Sequence, residues 1–397
     1  MFTLIVFIAV LAVLVLSHEF GHFFVARRAG IQVDEFGFGF PPRLIGVRRR
    51  VVGGKKEWQI IWNKKQLLNT LSHHHAGTIY SINLIPLGGF VKIKGENGSE
   101  EGAHDADSFF MKKTWQKSLV IAAGVIMNFV LAGILLGVGY MIGMPQVGDE
   151  AAGPNNEVQV VQVVAGMPAE EAGIPVGAKI ISISDGNTLL SKLDVGNFRD
   201  FVNIHRDNEL ILKYGFEGKE YTKNLKPKML EGTDRAGFGI AIVNVGIIKY
   251  PWYSALYHGF ISAGNYLIMI FAGLWSLLRQ LFAGANLDGQ VAGPVGVAVI
   301  TGEAAKMGFV YLLQLTALLS LNLAAINILP IPALDGGRLL FILIGRILRR
   351  DIAPSIEQII HTAGFALLMT LVVLVTIKDI GTFGAPFLMW VKNLVNF

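Results

Sequence analysis

Apolar residues fill positions 1–16, with Thr3 the one polar interruption, and the run resumes at Phe20, Phe23, Phe24 and Val25. Such a stretch has the length of a membrane-spanning helix, about 20 residues. A cleaved signal peptide would carry basic residues before its apolar run and a small-residue cleavage signature after it. Here the positive charge follows the run, as Arg27 and Arg28, so the first span is expected to run from outside to cytoplasm. A second span reads from about Leu119 to Met144, preceded by Lys112, Lys113 and Lys117 on the cytoplasmic side. A third runs from about Phe309 into Ile328, meets the break Pro330-Ile331-Pro332 and continues as Leu339 to Ile347, and a final one covers roughly Thr362 to Ile377. Ser254 to Ala283 is apolar but interrupted by His258, Asn265, Arg279 and Gln280. If it crossed, Arg346, Arg349 and Arg350 would fall outside, against the charge bias, so an amphipathic or re-entrant helix at the outer interface is expected.

Other segments carry the period of strands. Asp34-Glu35-Phe36-Gly37-Phe38-Gly39-Phe40-Pro41-Pro42 and Ile85-Pro86-Leu87-Gly88-Gly89-Phe90-Val91-Lys92-Ile93 mix alternation with turn residues, predicting a partly embedded hairpin. Irregular backbone is tolerated at membrane depth only where protein or a water-filled cavity satisfies it, so this hairpin is expected to line something. From about Gln146 to Val245 the chain is polar and alternating, and residues 166–183 predict a short helix, a turn and a strand. The expected fold is a polytopic α-helical membrane protein of about four transmembrane helices, with a membrane-associated β-hairpin loop and a soluble α+β insert outside the cytoplasm. It divides as 1–145 (first span, Gly-rich β loop, second span), 146–245 (insert) and 246–397 (interfacial helix, third and final spans).

Composition agrees. The 397 residues are 52% hydrophobic and only 16% charged, too apolar for an ordinary soluble globule. The absence of Cys excludes a disulfide framework and any thiolate metal or redox site, leaving His and carboxylates as ligands. The net charge of +5 comes from basic residues flanking apolar spans, the positive-inside pattern, and no nucleic acid partner is expected.

The sharpest chemical feature is His18-Glu19-Phe20-Gly21-His22 inside the first span. Histidines four apart on a helix share one face and can bind one zinc ion, with the intervening Glu as general base. Three ionisable side chains within an apolar span each cost several kcal/mol unless paired or bound to an ion. A catalytic zinc needs a third protein ligand and an open position for water. Asp335, just after the proline break and the only acid of its span, is the candidate, with a helix cap near the membrane surface as the alternative. Asn322 and Asn327 on the preceding helix could hold an extended substrate strand or join helices. His104, His205, His258 and His361 have no partner pattern and read as structural or surface residues.

Taken together these residues resemble the site-2 protease family of intramembrane zinc metalloproteases, specifically the bacterial regulator of sigma-E protease group. The resemblance covers most of the chain in order: His18 to His22, the Ile85 to Ile93 loop, Asn128 in the second span, one PDZ-like insert, Gly293-Pro294-Val295-Gly296 and the run from Asn322 to Gly337. It implies one Zn2+ per chain held by His18, His22 and Asp335, with Glu19 as catalytic base. It also implies a substrate-engaging edge at Gly88, Gly89 and Phe90, with Asn322, Asn327, Pro330 and Pro332 as further substrate contacts. The implied substrates are single-span membrane proteins, often trimmed first by a site-1-type protease, and the implied place is the bacterial cytoplasmic (inner) membrane, with the PDZ-like domain on the extracytoplasmic side. This chain has Ala123-Gly124-Val125 where the family reads Ala-Gly-Pro, and extra basic sequence between about Val47 and Thr78, ending in His73-His74-His75, which reads as a solvated cytoplasmic loop. A membrane metal transporter and an inactive PDZ-bearing scaffold are the rival functions; neither needs Glu19 beside the two histidines.

Overall fold

The structure is a computed structural model that describes residues 2–52, 55–62, 77–96, 102–147, 157–191, 193–216, 218–229, 235–284, 293–349 and 352–395. The chain divides into two compact units, one formed by Met1–Gly139 with Tyr253–Phe397 and the other by Tyr140–Trp252.

The larger unit opens with α1 (Phe2–Arg28), whose apolar length and terminal arginines make it the spanning helix expected. It feeds β1 (Val33–Val52), β2 (Lys55–Ile61) and β3 (Ile79–Ile93), which form one antiparallel sheet in the order β2-β1-β3. β3 meets β1 twice: Phe36 pairs with both Tyr80 and Val91, while Ile45 to Arg48 pair with Ile82 to Ile79. Polar groups brace the Gly-rich segment. Glu35 accepts from Arg43 Nε (3.0 Å) and Ser81 Oγ (2.6 Å), and Asn83 Nδ2 donates to the Gly39 carbonyl (2.9 Å). The stretch beyond Val47 is not a loop throughout. Residues to Val52 and from Lys55 to Ile61 pair as strands, with Arg48 ↔ Gln59 and Arg49 ↔ Trp58 in register, because the alternation of Val, Ile and Trp with polar residues suits a strand whatever its net charge. His73-His74-His75 lies outside the described residues.

α2 (Thr114–Ile142) packs antiparallel to α1: Ser17 Oγ donates to the Met127 carbonyl, and His22 Nδ1 lies 2.8 Å from the Val120 carbonyl.

The second unit is built from β4 (Met144–Val147), β5 (Glu157–Val163), α3 (Pro168–Glu171), β6 (Lys179–Ser184), β7 (Leu189–Leu190), α4 (Val195–Ile204), β8 (Leu210–Phe216), β9 (Lys219–Leu225), β10 (Lys228–Met229), β11 (Ala236–Gly237) and β12 (Ile240–Ile248). Its main sheet runs β4-β12-β5-β6-β8-β9, with β7 on β6. Alternate residues of β5 and β8 (Val158, Val160; Leu210, Leu212), with Ile180 and Ile183 on either side of a register shift in β6, face inward onto Phe198, Phe201 and Phe238 as one buried core. α4 starts at a reciprocal cap, the Asp194 carboxylate accepting the Asn197 N–H and the Asn197 side chain accepting the Asp194 N–H, both at 2.8 Å.

The larger unit resumes with α5 (Trp252–Phe282), α6 (Pro294–Met307), α7 (Phe309–Asn327), α8 (Asp335–Leu348) and α9 (Pro354–Val395). Five helices among the described residues are long and apolar enough to cross a membrane: α1, α2, α5, α7 and α9 through Gly381. That is one more than the pattern predicted. Residues 252–282 form one unbroken helix rather than a re-entrant turn, because His258, Asn265, Arg279 and Gln280 all accept helical backbone and no Pro interrupts them. The third span, by contrast, stops at Asn327, and Asp335 opens a separate helix.

The reciprocal cap of α4 gives a first test. Asp194→Ala should destabilise that helix by about 1 kcal/mol, seen as roughly fivefold faster hydrogen exchange of its amides, while Asp194→Asn should change little.

Candidate metal centre

His18 and His22 sit one turn apart on α1, both buried, and point at the first residue of α8. His18 Nε2 lies 3.0 Å and His22 Nε2 3.3 Å from Asp335 Oδ2, and the two Nε2 atoms are 3.2 Å apart. Ligand atoms bound tetrahedrally at zinc distances stand about 3.3 Å apart, so the triangle matches the face a zinc ion would occupy. Among the described residues this is the one group of His and acidic side chains close enough to hold a cation.

The surroundings agree with a cation at that face. Gly124 of α2 approaches so closely that a Cβ there would fall 2.4 Å from His22 Nε2 and 2.6 Å from His18 Cε1. Only a residue without a side chain leaves the imidazoles their space. The Val120 carbonyl, 2.8 Å from His22 Nδ1, fixes the tautomer that frees Nε2. Asn128, fully buried, sits with Nδ2 3.3 Å from His18 Nδ1 and leaves Oδ1 without a partner. Turning that amide over brings its oxygen to a His18 Nδ1–H, which pairs the buried oxygen with a donor and commits Nε2 to the metal. The Ser320 hydroxyl of α7 donates to the Asn128 carbonyl at 2.8 Å and fixes the helix that carries it.

Asp335 reaches this position through a tight turn. After α7 ends, the chain folds so closely on itself that a Cβ at Gly336 would fall 2.1 Å from the Leu329 carbonyl oxygen. Asp335 does occupy a first helical turn, as the capping alternative expects, but its carboxylate faces the imidazoles.

Glu19 lies between the two histidines in sequence and accepts a hydrogen bond from the Val91 N–H of β3 at 3.1 Å. Gly88, Gly89 and Phe90 immediately precede that contact, and a Cβ on Gly89 would meet Leu16 at 3.4 Å and the Glu19 side chain at 3.9 Å. The Gly-rich strand thus runs alongside the acid. Asn322 lies elsewhere, exposed on α7 with Nδ2 donating to the Leu318 carbonyl of its own helix (2.9 Å). Asn327 and Pro332 are half-buried and Pro330 is exposed around the turn before Asp335.

A cavity of about 1120 Å³ reaches Asp335 from the end of the unit that carries Lys117 and Arg346. Glu96, Arg338, Glu357 and His361 line it, and Arg338 pairs with Glu96. His361, which by sequence has no partner pattern, hydrogen-bonds the turn before Asp335. No spacing rule points to Gly124, Val91 or His361, since each acts through a backbone approach or a backbone N–H.

The family model of peptidase family M50 matches residues 6–63 and 65–371. This chain belongs to peptidase family M50, the site-2 protease family of zinc metalloproteases. The M50 chain is 35% identical over 368 residues to a Clostridium perfringens protein named "putative zinc metalloprotease", covering 92% of this chain and 95% of the relative. A similarly named Clostridium acetobutylicum protein is 29% identical, covering 96% and 97%, and one from Mesorhizobium japonicum is 28% identical, covering 92% and 95%. This M50 peptidase is therefore a metalloprotease and a multi-pass membrane protein, and zinc is the metal its relatives imply.

Two substitutions test the centre directly. Gly124→Ala should abolish stoichiometric zinc binding, measured by metal analysis of the purified chain, because the new methyl group occupies imidazole space. Asn128→Leu should weaken zinc by roughly 10–100-fold in chelator competition, the usual effect of losing a group that orients a ligand.

Proposed function

We propose that this chain is an intramembrane protease of the regulator of sigma-E protease type, which hydrolyses peptide bonds within or beside the transmembrane segment of single-span membrane proteins. The observation that carries the proposal is Glu19: a carboxylate set between two histidines that converge with Asp335, inside an apolar helix and against the edge of a strand.

His18, His22 and Asp335 would hold one zinc ion per chain, leaving a position for water. Zinc in such a site supplies Lewis acidity, which acidifies water and polarises a substrate carbonyl. Glu19 takes the proton from the attacking water and returns it to the leaving amine nitrogen. The cavity beside Asp335 gives water a polar route from the basic end of the unit, which the charge bias assigns to the cytoplasm. A substrate helix hides its carbonyls in its own hydrogen bonds and must unwind before attack. The Gly88-Gly89-Phe90 strand offers the unwound segment an edge to pair with, next to the base.

Helix directions support the topology. A Cβ on Gly302 of α6 would touch Thr3 at the start of α1, while Asp335 after α7 meets His18 and His22 near its end, so α7 runs parallel to α1. α2 runs antiparallel to α1 and touches α7 through Ser320. The chain thus leaves α2 and enters α7 at the same end, and α5 packs on α2 through its first turns, near Leu256 and Phe260. α5 is then an interfacial helix of the outer face and the chain crosses four times. The spans sit in a bacterial inner membrane, and the second unit lies on its extracytoplasmic side. That unit acts as a PDZ-like module that either binds extended peptide or a new carboxyl terminus or excludes bulky ectodomains by size, and substrates reach it first trimmed by another protease.

Co-expression with tagged single-span proteins tests the activity. Glu19→Gln should retain zinc but cut about 10²- to 10⁴-fold more slowly, the usual contribution of a general acid–base group. Equal cleavage by the two chains would end the assignment.

A further inference from the structure

The turn that delivers Asp335 contains an anomaly. Ala333 has φ +79°, a left-handed conformation that a residue bearing a Cβ disfavours. Neighbouring amides of the turn find partners within it, Ile331 N–H on the Leu329 carbonyl and Leu334 N–H on the Ile331 carbonyl. The Ala333 N–H instead leaves the turn and donates to His361 Nδ1 on α9 at 2.9 Å. One helical turn further along α9, Gly364 comes so near that a Cβ there would fall 2.4 Å from Pro332 Cβ and 2.7 Å from the Pro332 carbonyl oxygen. His361 is held in place in turn, its ring 5.5 Å from that of Phe341 on α8. One face of α9 therefore clasps the segment two and three residues before Asp335.

We infer that His361 is a positioning residue for the metal centre: by accepting the Ala333 N–H it holds the left-handed turn that aims the Asp335 carboxylate at His18 and His22. The inference rests on the reading of those three residues as metal ligands. It requires neutral His361 with its proton on Nε2, since a ring that accepts at Nδ1 has no hydrogen there.

The test is zinc affinity of the full chain in detergent, by chelator competition, with thermal unfolding measured alongside. His361→Leu removes the acceptor and should weaken zinc by roughly 10–100-fold. His361→Asn places an amide oxygen near the position of Nδ1 and should recover most of that loss. Ala333→Gly in the His361→Leu background should also recover affinity, because glycine takes the left-handed turn unaided. Native affinity in His361→Leu would overturn the inference. So would failure of both His361→Asn and Ala333→Gly to restore binding in chains that unfold at the native temperature. If His361→Leu does not fold, the comparison of His361→Asn with His361→Gln decides, since the longer amide carries its oxygen past the Ala333 N–H; equal zinc affinity in that pair would overturn the inference. A native chain that takes up no zinc would overturn the metal centre itself, an outcome distinct from native binding lost in none of the variants.

Discussion

Two imidazoles and a carboxylate meet inside an otherwise apolar helical unit, and most of the surrounding structure serves that meeting. None of the three is tolerable alone at such a depth; together, around a divalent cation, they are mutually satisfying. The requirement explains why glycines line the approach of α1 and α2, Gly21 against Ala123 and Gly124 against the imidazoles, why Asn128 carries a carboxamide in an otherwise apolar helix, and why α7 breaks where it does. An uninterrupted α7 would carry Asp335 past the histidines along a straight axis. The turn between Asn327 and Asp335 redirects it sideways.

The same constraint gives the sheet its place. β1 and β3 form a platform braced internally by hydrogen bonds of Glu35 with Arg43 and Ser81 and of Asn83 with the Gly39 carbonyl, which helps it sit against a spanning helix. One backbone donor is turned outward to Glu19, which ties the acid to a strand rather than to a side chain. A carboxylate held by a backbone amide keeps a fixed direction, which a general base needs.

Much of this was legible in the sequence because it is periodic or tied to unusual residue types. The spacing of His18 and His22 is a helical repeat, the spans announce themselves by apolar length, and the insert by alternation and turn residues. What was not legible depends on approach between distant segments. Gly124 reads in sequence only as the residue before a departure from the family pattern, Val125, yet its lack of a side chain is what admits the imidazoles. His361 carries no local signature, since its partner is a backbone amide 28 residues away. The 252–282 stretch read as an amphipathic or re-entrant helix; it is one continuous helix, since helical backbone accepts isolated polar side chains readily, and hydropathy alone does not separate a helix that lies in the interface from one that crosses. The extension of β1 and β2 past Val47 was hidden by its basic charge, which masks a strand alternation.

More than three hundred residues separate the opening histidines from the acid that completes their triangle. At ribosomal speeds of about 5–20 residues per second, α1 waits roughly 15–60 s in the bilayer before α8 exists. During that interval α2 already supplies its imidazoles with partners, the Val120 carbonyl and the Asn128 amide. The second helix is thus a nursemaid to the first during synthesis, and the half-built protein can survive biogenesis with its ligands parked before any ion is captured.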